Sequence, residues 1–460
     1  MLQVIIALAV TILVAVLVLR GFKAQAILIF GGILLMLASL LLGTGLPLEE
    51  GKATGSKLLD IFHFIKITFS SQSAGLGLKI MAIAGFAFYM HHIGASAALV
   101  RVLTKPLERV KNRPYLFMAM CFIVGEFLSI FITSASGLGV LLMVTLYPLM
   151  RSVGLSPLSA CTPIATAVAV EMGPAQGNVN FAADIIGIDV VEYVVNYQIL
   201  VSVAALAVIA VLLVITQKYF DKKMGWIATE TQDTTVHIDG DTQETLNKAP
   251  TVYAILPVVP LVLIFTFNKL TISSIKMDVT TAMFVSMVLA LLFEYAYMKN
   301  AKKVIDSIQV FFDGMGKQFA NVVTFIVAGQ TFAQGLKTIG VIDIIINNAQ
   351  GLGFGPVAMT VVMVLIIMVT AILMGSGNAA FFSFANLVPD IAAKMGIAPV
   401  MMLLPMQFVA GMSRNISPIA PNMVAISGVA NVSPFDLAKR TAIPMFGGIA
   451  IATLVSILSF

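Results

Sequence analysis

Apolar runs of about 17 to 25 residues, long enough for a helix to cross a hydrocarbon core of roughly 30 Å, recur along the whole chain between short polar turns. In the first half they predict membrane spans near residues 3–19, 24–43, 77–100, 157–195 with an interruption, and 197–217. Residues 114–150, PYLFMAMCFIVGEFLSIFITSASGLGVLLMVTLYPLM, form two apolar arms meeting at a polar tip, TSASG. The second arm runs only about 13 residues before Pro148, too short to span, which predicts a re-entrant hairpin rather than two crossings.

The same pattern returns in the second half. FYMHHIGASAALVRVL (88–103) matches AQGLKTIGVIDIIINN (333–348), and Pro148, Gly154, Pro157 and Pro163 face Pro389, Gly396, Pro399 and Pro405. Farther on, Pro174, Asn178 and Glu192 face Pro418, Asn422 and Asp436, at an offset that stays near 242 residues. Prolines and glycines kept in one order at one offset point to a duplicated unit, as in many secondary transporters. Residues 1–218 are then one copy, with a hairpin at about 114–150 and a broken helix at about 157–195. Residues 251–460 are the other, with a hairpin at about 355–394, tip GSGN, and a broken helix at about 399–431. A hydrophilic linker, 219–250, joins them. The expected fold is an all-α polytopic membrane protein of about ten transmembrane helices plus two re-entrant hairpins. Five true spans per copy is odd, so the copies are expected to be inverted repeats.

Charge supports this layout. With the N-terminus outside, 18 of the 27 Lys and Arg fall on the cytoplasmic side and 8 on the outer side, as the positive-inside rule requires. Both termini are then periplasmic and the linker cytoplasmic. Arg414 alone is left over, inside a span. With 59% hydrophobic and 11% charged residues, the lipid bilayer is the expected environment. The net charge of +5 is spent on orientation and implies no nucleic-acid partner. Cys121 and Cys161 sit in apolar segments and read as buried thiols, and the first apolar run lacks a basic leader and cleavage site, so it reads as a retained helix.

Four polar interruptions fall at equivalent places: the tips TSASG (133–137) and GSGN (375–378), and the breaks EMGPAQGNVN (171–180) and RNISPIAPN (414–422). Broken helices free N–H and C=O groups where lipid cannot satisfy them, and transporters build sites there. The substrate site is therefore expected where the four meet. Arg414 carries a permanent charge and a planar fork suited to a carboxylate; its two readings are a substrate anchor and a structural ion pair with Glu171 or Glu126. Glu171 and Glu126 are the coupling candidates, Glu171 through proton exchange or by compensating Arg414, Glu126 with a structural role as its other reading. Ser134, Ser136, Gly137, Ser376, Gly377, Asn378, Asn178, Asn415, Ser417 and Asn422 supply neutral donors, acceptors and close backbone approach, or else cap helices. A coupled Na⁺ could sit at Ser134, Gly173, Gly375 and Ser417, where freed carbonyls suit a small cation. His91 and His92 are expected at the membrane surface. GLGFGP (351–356) reads as a loop, and the sequon at Asn415 lies at membrane depth. Nothing resembles a nucleotide cradle, a metal-ligand spacing or a Ser/His/Asp arrangement, so neither an enzyme nor a cofactor is expected.

TSASGLGVLLMVTLYPLM, ILMGSGNAAFFSFANLVP, GMSRNISPIAPNMVAISGVANVSPFDLAKRTAIP and GFAFYMHHIGA together resemble the anaerobic four-carbon dicarboxylate carriers of the DcuC type, as do YFDKK and APTVYAILP around the linker. The likeness covers essentially the whole chain. It implies secondary transport of succinate, fumarate, malate or aspartate across the bacterial inner membrane, by exchange, efflux or Na⁺- or H⁺-coupled symport. It also implies an elevator fold, with a mobile part at about 114–195 and 355–431, the other spans as scaffold, and a homodimer. Arg414, Ser417 and Pro418 match the family's Arg and Ser-Pro in this break. A carrier of another organic anion, such as an amino acid or acyl-amino acid, a channel, and a membrane enzyme are the competing readings.

Overall fold

The computed structural model describes residues 2–110, 112–226, 249–268, 270–275, 277–341, 344 and 355–460. Most of the linker, residues 342–343 and 345–348 of the 333–348 motif, residues 349–350, most of the GLGFGP loop, and Lys111, Lys269 and Lys276 lie outside the described residues. Helices make up the described chain, and none of it is strand.

In the first half, α1 (Leu2–Leu19), α2 (Ala24–Leu42), α3 (Lys57–Ala74), α4 (Leu76–His92) and α5 (Ala95–Thr104) precede the hairpin arms α6 (Pro114–Ser129) and α7 (Ala135–Ser152). The broken helix is α8 (Pro157–Ala165) and α9 (Gly177–Ile186), followed by the long α10 (Val190–Lys223). After the linker come α11 (Thr251–Thr266), α12 (Val279–Met298) and α13 (Ala301–Thr338), then the second hairpin: α14 (Pro356–Met374), α15 (Gly377–Phe384) and α16 (Val388–Met395). The second break separates α17 (Pro399–Arg414) from α18 (Pro421–Val429), and α19 (Pro434–Ser459) ends the chain. Among the described residues, seven helices are long and apolar enough to cross a membrane, or eight if α3 and α4, bent by 46°, count as one span.

Several boundaries differ from the sequence expectation, each for a local reason. The span at 77–100 is two helices, because Gly94 takes a left-handed φ of 75° just after His92. Helix α3 was not expected at all: Asp60, His63, Lys66 and Gln72 break up its apolar run. The division between 157–195 and 197–217 moves back to residues 187–189. Gly187 (φ 78°) ends α9, and the Asp189 side chain caps α10 by accepting from Val191 N. A π turn, Val194–Gln198, then carries α10 past the polar residues that suggested a gap. The linker starts later than residue 219, since α10 runs to Lys223.

The first hairpin shows the largest correction. Helix α7 passes straight through Pro148 for 18 residues, so its length alone does not forbid a crossing. Proline tolerates helical φ and loses only one ladder bond, at the cost of crowding the preceding turn. In the second hairpin the equivalent Pro389 sits instead in the first turn of α16, after a 3₁₀ turn, Ala385–Leu387, has broken the arm.

Packing groups the helices. Helix α13 lies along α2 and α4, where the Ser39 hydroxyl donates to the Thr338 carbonyl at 2.9 Å. Helices α10 and α19 pack on each other, α10 also on α6, and α19 also on α8 and α17. A buried polar network makes that grouping firm. Arg440 Nη1 pairs with Asp221 Oδ1 at 2.9 Å and also donates to Ser159 and Gln217 (3.2 Å each). Asp221 in turn accepts from Ser156 (2.7 Å), Ser159 (2.8 Å) and Tyr115 (3.2 Å). Arg440, one of the 18 cations counted on the cytoplasmic side, is thus a buried member of the fold. Packing thus joins α10 and α19 to the hairpin and broken-helix group, whereas the division implied by resemblance set them among the other spans.

Candidate functional site

The first break begins where α8 ends at Ala165, two residues after its internal Pro163. Backbone groups freed there are claimed by the hairpin: Glu126 Oε1, on α6, accepts from Ala169 N (2.8 Å) and Val170 N (3.1 Å). Glu126 is fully buried, and its Oε2 has no hydrogen-bond partner. Two residues farther, Glu171 adopts a left-handed φ of 47°, a conformation that costs a non-glycine residue of this size about 1–3 kcal/mol. A web of buried side chains holds it. The Glu171 carbonyl accepts from Gln198 Nε2 (3.2 Å) and Gln407 Nε2 (3.4 Å), and the Tyr193 hydroxyl donates to Gln407 Oε1 at 2.8 Å.

That backbone twist aims the Glu171 carboxylate at the second break. Glu171 Oε1 stands 2.9 Å from Arg414 Nη1, the glutamate buried and the arginine side chain 12% exposed. Arg414 is the last residue of α17, where its charge also meets the negative end of the helix dipole. Its Nη2 donates to the Val168 carbonyl at 2.7 Å, and its Nε, though buried, has no partner. Asn178, in the first turn of α9, donates to Glu171 Oε2 and to Asn378 Oδ1 (3.1 Å), while its own Oδ1 is unpartnered. A chain of polar contacts therefore runs from one break to the other and onto the second hairpin.

These groups face a cavity of about 70 Å³, lined by Thr133, Glu171, Gln176, Asn178, Asn378 and Arg414, and closed by Ile80 and Ile83 of α4 and Gln318 and Val322 of α13. Each of the four interruptions contributes to it. The second tip is held there by close backbone packing: a Cβ at Gly377 would lie 2.0 Å from the Ala410 carbonyl of α17.

Other sequence candidates take different places. Ser134 and Ser376 cap α7 and α15, accepting from Gly137 N (3.2 Å) and Ala379 N (3.3 Å). Asn422 donates to Asn415 Oδ1 at 2.8 Å and to the Ala165 carbonyl, which staples the second break to the end of α8. Ser417 donates to the Ile372 carbonyl at 2.7 Å. Ser136, Gly137, Asn415, Ser417, Asn422 and Glu126 do not line the cavity. The four positions suggested for a cation fall apart: Gly375 and Ser417 share the neighbourhood of Ala420, Gly173 lies against Ile130, and Ser134 is exposed at the first tip. Among the described residues no group of three or more His, Cys, Asp or Glu could hold a metal ion. His91 and His92 are exposed at the end of α4, away from the cavity, and both cysteines are free and buried.

Three polar lining residues were not singled out from sequence. Thr133 is the first residue of TSASG and Gln176 the sixth of EMGPAQGNVN. Gln318 had only its polarity to show, just before a π turn, Phe319–Val323, that interrupts α13 beside the cavity.

Comparison with known proteins supplies the rest. Residues 2–460 match the family described as C4-dicarboxylate anaerobic carrier, DcuC. A probable anaerobic C4-dicarboxylate transporter DcuC of Vibrio cholerae is 35% identical over 98% of this chain and 96% of its own. The anaerobic C4-dicarboxylate transporter DcuC of Escherichia coli K12 is 34% identical over 99% and 96%. Among solved structures, the YdaH transporter of Alcanivorax borkumensis (TM-score 0.64, 16% identity, 94% of this chain and 97% of that one) shares the fold. So does MtrF of Neisseria gonorrhoeae, described as one of a class of antimetabolite efflux pumps (TM-score 0.61, 16% identity, 94% of each chain). Full-length agreement of this kind makes the chain a multi-pass membrane transporter and not an enzyme: it belongs to the DcuC family of anaerobic C4-dicarboxylate carriers.

Proposed function

We propose that this chain carries four-carbon dicarboxylates such as succinate and fumarate across the bacterial inner membrane by alternating access, with Arg414 as the anchor for one substrate carboxylate. One observation carries the reading. Arg414 lines a polar cavity where both helix breaks and both hairpins meet, with an unspent Nε–H and an ion pair to a single carboxylate, Glu171. Its fork can serve a substrate only by sharing or exchanging that partner. Glu171 is therefore the coupling group we favour: on release from Arg414 it becomes a buried carboxylate that gains from a proton. Glu126, held by two backbone N–H groups, positions the break. The second substrate carboxylate would meet Asn178, Asn378 and Thr133, all neutral.

We further infer two inverted repeats, about ten spans with two hairpins, both termini periplasmic, and a homodimer in which the hairpin and broken-helix group, with α10 and α19, moves against the rest. Supporting this are the repeated element order, the positive-inside count and the family likeness.

Counterflow in proteoliposomes tests the proposal. External fumarate should accelerate release of preloaded labelled succinate, as a carrier does and a channel does not. Arg414→Lys keeps the charge but loses the fork, and should reduce that exchange by at least about tenfold, the worth of one charge-assisted hydrogen bond, with normal membrane insertion. Full succinate exchange by the variant would overturn the anchor. A panel run under separate Na⁺ and H⁺ gradients identifies the coupling ion, and inert succinate beside active transport of an amino acid or acyl-amino acid would transfer the substrate class while leaving the fold standing.

A further inference from the structure

A second polar cavity, of about 360 Å³, lies away from the transport site, where the ends of α4, α12 and α13 meet the start of α11. Its floor is unusual. The Tyr253 hydroxyl is buried, and the carboxylate of Glu294, 8% exposed, stands beside it as its polar neighbour. Glu294 forms no ion pair among the described residues. Burying a carboxylate without a cation is costly, and nothing in the packing of α11 on α12 requires one there. The aromatic walls are ordered: the rings of Tyr253 and Tyr297 meet edge to face, with centroids 5.9 Å apart. Carboxylate, hydroxyl and ring faces together are the chemistry that holds an alkylammonium group.

The rim carries the opposite sign. Lys303 and His92 line the same cavity, and Lys299 and Lys302 flank it in the turn between α12 and α13. That turn is built rather than loose, with Lys299 at a left-handed φ of 51° and Asn300 capping α13 through Lys303 N at 3.1 Å. Below the cavity, Val252 and Ile255 of α11 and Val288 and Leu292 of α12 are more than half exposed, as residues facing acyl chains are. Tyr295 and Tyr297 are exposed at the level where aromatic belts meet headgroups.

We propose that this cavity is a binding site for a ligand bearing a primary ammonium and a phosphate, its ammonium on Glu294, Tyr253 and Tyr297 and its phosphate at Lys303. The source the surroundings favour is the headgroup of an amine phospholipid, whose chains would descend along α11 and α12. A primary ammonium can donate to Glu294 where a trimethylated one cannot, so phosphatidylethanolamine should be preferred over phosphatidylcholine, and over phosphatidylglycerol, which has no ammonium.

Native mass spectrometry of the purified full-length carrier, mixed with equimolar phosphatidylethanolamine, phosphatidylcholine and phosphatidylglycerol, reads the site without reference to transport. Wild type should retain phosphatidylethanolamine preferentially, and Glu294→Gln, close in shape, should lower that preference about tenfold. Lys303→Ala, at an exposed position that folding does not need, should weaken retention of phosphatidylethanolamine and phosphatidylglycerol together. Binding of soluble O-phosphoethanolamine that Glu294→Gln abolishes, without preferential retention of the lipid, would keep the ligand chemistry and assign a free source. Equal retention of the three lipids with no binding of O-phosphoethanolamine, or a preference unchanged in both variants, would overturn the site.

Discussion

At the scale of single residues, the site turns on a competition for Arg414. Glu171 holds it at 2.9 Å, so in the proposed mechanism a substrate carboxylate displaces or shares a partner already in place. Replacing that partner by Glu171→Gln keeps the side-chain shape and removes the competing charge. We expect a lower KM for succinate, by about tenfold if one ion-paired hydrogen bond is relieved, together with loss of the pH dependence of uptake. A rise in KM would show that Glu171 binds substrate rather than opposing it. The same variant leaves a buried arginine without its anion, so thermal unfolding in detergent should occur at lower temperature, and saturating succinate should restore more of the loss than it adds to wild type. Arg414 was legible from sequence because a permanent charge at membrane depth has few explanations. Glu126 was visible, but its job was not: its partners are the backbone N–H groups of Ala169 and Val170, which no side-chain pattern advertises. Gln198 and Gln407, which grip the Glu171 carbonyl, were silent for the same reason.

At the scale of elements, two contacts decide whether hairpin and helices act together. The second tip lies against α17 with no room for a side chain, since a Cβ at Gly377 would stand 2.0 Å from a backbone oxygen. Gly377→Ala must lift the tip, drawing Asn378 away from Asn178. We expect a stability loss of about 1–3 kcal/mol and loss of most transport, while Gly316→Ala on α13, which meets nothing within 4 Å, should transport as wild type. At the other contact, Gly329 of α13 touches the backbone of α15, where a Cβ would be 2.5 Å from the Phe382 carbonyl. A branched residue there, Gly329→Val, should slow transport more than it weakens equilibrium substrate binding, because it burdens a surface across which the two groups slide in the mechanism we propose. The Arg440–Asp221 pair supplies a third test: Arg440→Met alone strands a buried carboxylate and should cost about 3–5 kcal/mol, and adding Asp221→Leu should recover much of it. Thermal unfolding of the single and double variants measures both. The helix breaks themselves were legible, because prolines and glycines at a constant offset survive when apolar residues drift. Helix α3 was not, since Asp60, His63 and Lys66 interrupt the apolar run of a helix that packs on α13 and α4.

For the whole molecule, the order of elements follows the duplication we infer, but their details do not. Pro148 and Pro389 hold matching positions, yet α7 runs through the first while a 3₁₀ turn interrupts the second arm before Pro389. The two halves thus differ in their hairpin arms, and they differ in charge at the site itself: Glu171 belongs to one break and Arg414 to the other. That division has an electrical consequence. One elementary charge crossing a membrane potential gains or loses about 2.3 kcal/mol per 100 mV. A cationic anchor travelling alone would feel that field on every return, but joined to Glu171 it makes an ion pair of zero net charge. The unloaded crossing should therefore be insensitive to voltage, and a swap of one dianion for another should carry no current. Net uptake should be driven or opposed by the potential according to how many cations accompany the two charges of the substrate. Solid-supported membrane recordings on reconstituted carrier would read this directly: no charge movement during succinate–fumarate exchange, and a transient of defined sign when succinate is offered alone.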